Sequence, residues 1–64
     1  MRTGQRVEVM EAFDIKAIKR VVAADQRNIY VCREDEFDRA TAESREPICV
    51  GFGREFLLRV FDED

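Results

Sequence analysis

The chain has 64 residues, of which 45% are hydrophobic and 39% charged, with a formal net charge of −3 and no histidine. This length allows one small domain, and the apolar content is too high for a disordered chain. A Ser-His-Asp hydrolase is excluded, because the only serine, Ser44, has no histidine to activate it. We therefore expect residues 1–64 to form a single, non-catalytic domain.

The charge is spread unevenly along the chain. Residues 1–33 carry seven basic and four acidic side chains, whereas residues 34–64 carry four basic and ten acidic ones. Such an asymmetry can steer a charged partner, or a second copy of the same chain. The simpler interpretation, which we favour on charge alone, is a mixed and solvated surface.

No segment resembles a targeting or membrane-spanning sequence. Residues 1–6 are polar and lack the apolar core of a signal peptide. No apolar run approaches the roughly 20 residues that a membrane span needs. These features predict a cytoplasmic protein that does not enter a membrane.

The first periodic segment, residues 6–11, predicts a half-buried strand, because two valines alternate with charged side chains. The next stretch fits two interpretations. As a helix over 14–24, capped by Asp14, it would place its isoleucines and valines on one face. As a strand over 18–24, it uses consecutive β-branched residues. We favour the strand.

A β-hairpin is the clearest feature of the sequence. Two runs rich in β-branched residues, 20–24 and 29–33, flank a polar connector of about four residues that holds Asp25 and Asn28. Aspartate and asparagine tolerate turn conformations, and a connector of this length is usual in hairpins.

Residues 34–46 differ from what precedes them, because charge dominates and β-branched residues nearly vanish. Phe37 and Ala40 lie at helical spacing, and acidic residues at the start suit the positive N-terminus of a helix. We expect a long insertion that holds a short helix anchored by Phe37. The acidic run does not match a calcium loop, because Arg39 stands at the sixth position, where glycine is required.

After Pro47, residues 48–52 and 55–61 read as two further strands. Two glycines near the end of the first suggest a bulge or a sharp bend. The second strand alternates poorly, because Phe56, Leu57 and Leu58 are consecutive and would point to both faces. At least one of them should be exposed in a monomer.

The sum of these elements predicts an all-β fold, a small SH3-like barrel of about five short strands with a short helix in the 34–46 insertion. The alternative is an α+β fold in which residues 14–25 form a helix packed on a sheet. In either fold the sheet is small and has exposed edge strands. It must therefore close on itself or pair with another chain.

No cofactor or metal site is predicted. The two cysteines, Cys32 and Cys49, lie in apolar β patterns, where burial suppresses thiol reactivity. A structural zinc site needs four ligands, and the chain has neither the number nor the spacing. A disulfide between the two cysteines would require them to lie on neighbouring strands, and a reducing cytoplasm disfavours it.

The function that these features favour is a protein-interaction module that associates with itself. Small size, open strand edges and opposite charges in the two halves motivate this hypothesis. Apolar residues near the C-terminus are candidates for the interface, although most of them also suit a core, as do Phe52 and Val60. The interface candidates are Phe56, Leu57, Leu58 and Phe61.

The alternative function is a nucleic-acid-binding small barrel that uses the basic hairpin between residues 16 and 33. Cations would contact phosphates and one aromatic ring would stack on a base. The overall negative charge works against it. The candidate residues are Lys16, Lys19, Arg20, Arg27, Arg33 and Tyr30.

Overall fold

A computed structural model describes residues 1–62 of the chain. Five antiparallel strands form one curled sheet, in the order β4-β3-β2-β1-β5, with one short helix between the third and fourth strands. The elements are β1 (Arg6–Ala12), β2 (Ile15–Ala24), β3 (Asn28–Cys32), α1 (Glu34–Ala42), β4 (Val50–Gly53), the 3₁₀ turn η1 (Arg54–Phe56) and β5 (Leu57–Val60). The predicted all-β fold of five strands is confirmed, as is the helix within 34–46; the strands form a curled half-barrel that is consistent with the predicted small SH3-like barrel.

The segment that fitted both a helix and a strand is the central strand of the sheet. β2 pairs with β1 on one side, where Val9 faces Ala17, and with β3 on the other, where Val21 faces Val31. A helix here would leave both neighbouring strands without their main hydrogen-bonding partner. Asp14 caps no helix; it adopts a φ of 61° in the tight turn between β1 and β2, a conformation that aspartate tolerates.

The predicted hairpin is formed by β2 and β3, with a connector of three residues rather than four. The Asp25 carboxylate accepts hydrogen bonds from the backbone N–H groups of Arg27 (2.9 Å) and Asn28 (2.7 Å). These two bonds favour the charged carboxylate and hold the pKa of Asp25 below its ordinary value. The side chain therefore replaces backbone bonds that the tight turn cannot make.

The core lies on the concave face of the sheet. Its fully buried members are aliphatic side chains from the three central strands. They are Val7, Val9, Val21, Ile29 and Val31. Phe52 of β4 and Leu57 of β5 pack against this cluster from the two outer strands. The curl of the sheet thus brings both edges around one small apolar centre.

Helix α1 is fastened to the sheet by charge and by one aromatic ring. The Glu34 carboxylate forms ion pairs with Arg6 and, at 3.2 Å, with Arg20. The Phe37 ring lies 5.7 Å from the Arg20 guanidinium and against Gly4. Gly4 has a φ of 87°, and a Cβ there would lie 3.1 Å from the ring, so glycine is required on both counts. The prediction that Phe37 anchors the helix is confirmed.

Of the bulge or sharp bend predicted at the glycines of β4, the bulge is absent, and the chain leaves the strand after Gly53 for the 3₁₀ turn η1. The ladder between β3 and β4 runs through four pairs without a shift. Gly51 instead makes room for the Tyr30 ring, which a Cβ would approach to 3.1 Å. A bulge lies in β5, at Leu58, where the register against β1 shifts. Phe56 lies in the 3₁₀ turn and Leu58 lies at the bulge, so only Leu57 of these three consecutive apolar residues packs on the core.

The buried centre generates a stability prediction. We expect Ile29→Ala to lower the free energy of unfolding by about 2–5 kcal/mol, because the fully buried side chain leaves a cavity. Ile15→Ala is the matched control: this isoleucine is 54% exposed, and its loss should cost less than about 1 kcal/mol. Urea unfolding of both variants measures the difference. Equal destabilisation would contradict the assigned core.

Candidate interaction surfaces

The outermost strands, β4 and β5, each have a neighbour on one side only within residues 1–62. On β5, the N–H of Phe61 donates to the carbonyl of Arg6 at 3.0 Å. Antiparallel pairs alternate between hydrogen-bonded and non-hydrogen-bonded types. Val60, which faces Val7 in the next pair, therefore points its N–H and C=O away from β1. These two groups form part of an open edge.

The other open edge belongs to β4. The N–H of Arg54 donates to the carbonyl of Arg27 at 3.0 Å, which marks these two residues as a hydrogen-bonded pair. The same alternation then directs the backbone groups of Gly53 and Gly51 away from β3. Because glycine has no side chain, nothing attached to these residues shields the outward-pointing N–H and C=O groups.

Apolar side chains accompany both edges. The described residues expose nine large hydrophobic side chains, and five of these lie on or beside the two edge strands. Ile48 and Val50 flank the open side of β4, and Phe56, Leu58 and Val60 flank β5. Unpaired backbone and exposed apolar surface therefore coincide, which is the combination that permits pairing with another chain.

The structure divides the predicted interface residues into two groups. Phe56 and Leu58 are exposed, whereas Leu57 packs on the core. Phe61 is half-buried, and the Arg59 guanidinium lies 4.7 Å from its ring. Whether any of them contacts a partner stays a prediction.

Two exposed residues were missing from the predicted interface set. Ile48 and Val50 lie at every second position before Phe52, and all three line the groove beside the core residue Val31. The signal was present in the sequence as apolar residues at every second position from 48 to 52. This alternation does not show whether the residues lie in the core or on an edge strand, because the position of a strand in the sheet depends on the strand order.

A groove of about 410 Å³ lies between β4 and helix α1. Its floor includes Val31, Val50 and Phe52, and its rim includes the charged side chains of Lys19 and Arg39. Because Val50 and Phe52 belong to the open strand, a strand added beside β4 would lie next to this groove. The open strand β4 thus borders a recess between the sheet and the helix, whereas Phe56 and Leu58 are exposed beside the edge of β5.

Three of the predicted basic partner residues form ion pairs within the chain. Lys19 contacts Glu11 at 2.7 Å, and Arg33 contacts Asp35 at 3.2 Å. Arg20 contacts the carboxylate that fastens the helix and also donates to the carbonyl of Gly4 at 2.8 Å. These cations already have anionic partners, which reduces the positive field that they offer to phosphates.

The remaining members of the predicted basic surface lie apart. Lys16 is near one end of β2, and Arg27 lies beyond the other end. Eight residues of extended chain rise roughly 26 Å, so the two cations are far from each other. Tyr30 approaches Asp25, with 3.5 Å between its hydroxyl and the carboxylate. The structure does not gather these residues into one basic patch, and nucleic-acid binding stays a prediction.

The end of the insertion is tied back to the helix by Glu36. Its carboxylate accepts hydrogen bonds from the Arg45 guanidinium (2.7 Å) and from the backbone N–H of Ile48 (3.0 Å). The Arg45 bond, followed by the Ile48 bond, lowers the pKa of Glu36 to about 2. This contact fixes the chain immediately before Cys49 and β4.

Comparison with known proteins gives no relative. No family model matches the chain, no curated protein matches it and no solved structure matches it. Among residues 1–62, no group of three or more acidic, cysteine or histidine side chains is placed to hold a metal ion. The helices of this part of the chain lack the length and apolar content to cross a bilayer.

The Glu36 contact generates a pH prediction. Because the folded-state pKa of about 2 lies below the ordinary value near 4.3, this carboxylate stabilises the fold above that ordinary value. The contribution is lost as pH falls toward 2. In Arg45→Ala, we expect the pKa of Glu36, measured by ¹³C NMR titration of its carboxyl carbon, to rise toward the ordinary value. The free energy of unfolding of this variant should then fall less steeply as the pH is lowered. Arg59→Ala should leave the midpoint unchanged; a shift there would contradict the assignment.

Proposed function

We propose that this chain is a non-catalytic, cytoplasmic protein-interaction module that associates with itself by strand addition. In this proposal, β4 of one copy pairs with β5 of the next. The observation that carries it is the presence of two open strand edges on one small sheet, each accompanied by exposed apolar side chains.

The backbone gives the first support. Gly51 and Gly53 on one edge and Val60 on the other direct their N–H and C=O groups outward. Pairing with a second strand satisfies these groups and is a common mode of chain recognition. Natural edges are usually protected by charge, proline or irregularity. β4 has no charged residue, and β5 has only Arg59 and one bulge.

The shapes of the two edges favour head-to-tail pairing over a symmetric dimer. The groove beside β4 is concave, and Phe56 and Leu58 project at β5. Joining unlike edges sets a projection against a recess, whereas joining like edges would set two recesses or two projections together. A head-to-tail contact repeated from copy to copy closes a ring or extends a filament.

The side-chain part of this proposal is tested with Leu58→Lys. We expect the native chain to show a molar mass in light scattering that rises with protein concentration, and the variant to remain monomeric at the same concentrations. A desolvated lysine at the contact is costly. Phe13→Lys is the matched control, because Phe13 is 92% exposed and lies in the β1–β2 turn, not on an edge strand. A molar mass of one chain for the native protein at millimolar concentration would contradict the proposal.

The backbone part is tested with Val60→Pro. Proline removes the outward N–H of this residue and takes no hydrogen bond from the β1–β5 ladder. We expect a folded monomer, checked by circular dichroism and sedimentation. Val60→Thr keeps the N–H and the branched shape, and it should associate like the native chain. Equal association of the two variants would show that β5 does not pair through its backbone.

A further inference from the structure

The two cysteines lie at the end of the β3–β4 ladder, one on β3 and the other just before β4. Cys32 is the last residue of β3, and Cys49 immediately precedes β4. The ladder pairs Val31 with Val50 and continues without a shift through the preceding pairs. One further step of the same register sets Cys32 opposite Cys49. The hydrogen bond from Ile48 to the helix carboxylate holds the chain at this point.

The type of pair determines how close the two thiols lie. The bond from Arg54 to Arg27 makes that pair hydrogen-bonded, and pairs then alternate along the ladder. The cysteines stand five pairs beyond this one along the same register. Because the two types alternate, Cys32 and Cys49 form a pair of the non-hydrogen-bonded type. In such pairs the Cα atoms lie about 4.5 Å apart and the side chains approach closely. This separation falls within the range of about 4.4–6.8 Å that a disulfide requires.

Both side chains also lie on the same face of the sheet. The Tyr30 ring is close to the position that a Cβ of Gly51 would take, so these two residues share a face. Cys32 lies two positions after Tyr30 on β3, and Cys49 lies two positions before Gly51, in the extended chain just before β4. Since side chains alternate along extended chain, the cysteines share that face.

The two thiols differ in accessibility. Cys49 is exposed, whereas Cys32 is buried. Burial raises the pKa of the Cys32 thiol, and the nearby Glu36 carboxylate adds to the effect. Cys32 therefore reacts poorly with reagents in solution, and the exposed thiol meets them first.

We propose that Cys32 and Cys49 form a dithiol site that is reversibly converted into an intramolecular disulfide by small-molecule disulfides. The Cys49 thiolate attacks one sulfur of the reagent, forming a mixed disulfide and releasing one thiol. The Cys32 thiolate then attacks the Cys49 sulfur and releases the second thiol. The protein loses two protons and two electrons, and the reagent is reduced to two thiols. Excess thiol reverses both steps.

This modification would join the end of β3 to the start of β4 and close the segment 32–49, which contains the helix. It follows from the strand register and does not rest on the proposed self-association. A reversible disulfide in a reducing compartment is typical of a redox-responsive protein.

The test treats the folded, reduced protein with oxidised glutathione and follows intact mass. We expect the native chain to lose the mass of two hydrogen atoms and to become resistant to maleimide. Cys32→Ala should stop at a stable mixed disulfide on Cys49. Cys49→Ser should stay unmodified over the same period, because its remaining thiol is buried.

Thermal unfolding then shows whether the cross-link fits the native fold. We expect the disulfide to raise Tm by about 10 °C, because it closes a loop in the unfolded chain, and dithiothreitol to reverse the rise. Accumulation of the mixed disulfide on the native chain, or a fall in Tm on cross-linking, would overturn the inference. The native chain and Cys49→Ser decide the outcome even where Cys32→Ala fails to fold.

Discussion

The double pairing of β2 is the constraint on which the rest of the structure depends. This ten-residue strand is bonded to β1 along one side and to β3 along the other. Its register sets Val21 beside Val31 and directs the valines of β1 to the same face, so the core is a consequence of the ladder. A shift by one residue would turn that entire set toward solvent. The many hydrogen bonds and the buried face therefore stabilise the same register.

The same ladder also leaves the sheet open. With β2 at the centre, β4 and β5 become the edges, and five strands of this length curl around the core without β4 meeting β5. Phe52 and Leu57 cover the core, but neighbouring apolar residues remain at the surface. A chain of this size buries only about 60% of its unfolded surface, so association with another chain is a physically reasonable way to cover these edges.

Local signals made part of this fold predictable. The β2–β3 connector was identified by Asp25, whose carboxylate makes the turn bonds itself. The helix was identified by the loss of β-branched residues and by the spacing of Phe37. The ion pair between Arg6 and Glu34 joins residues far apart in the chain, and no local pattern contains that information. The same holds for the edges and for the apposition of the cysteines, which follow from strand order and register.

The structure changes the meaning of the charge asymmetry in the sequence. Arg6 and Arg20 from the basic half meet Glu34 from the acidic half, so the two halves partly neutralise each other within one chain. Exposed ion pairs of this kind contribute little free energy individually, but they orient the helix against the sheet. In the part of the chain that the structure describes, the exposed apolar side chains and the outward-pointing backbone groups therefore lie mainly at the strand edges. For this reason the proposed association is based on strand addition rather than on attraction between charges.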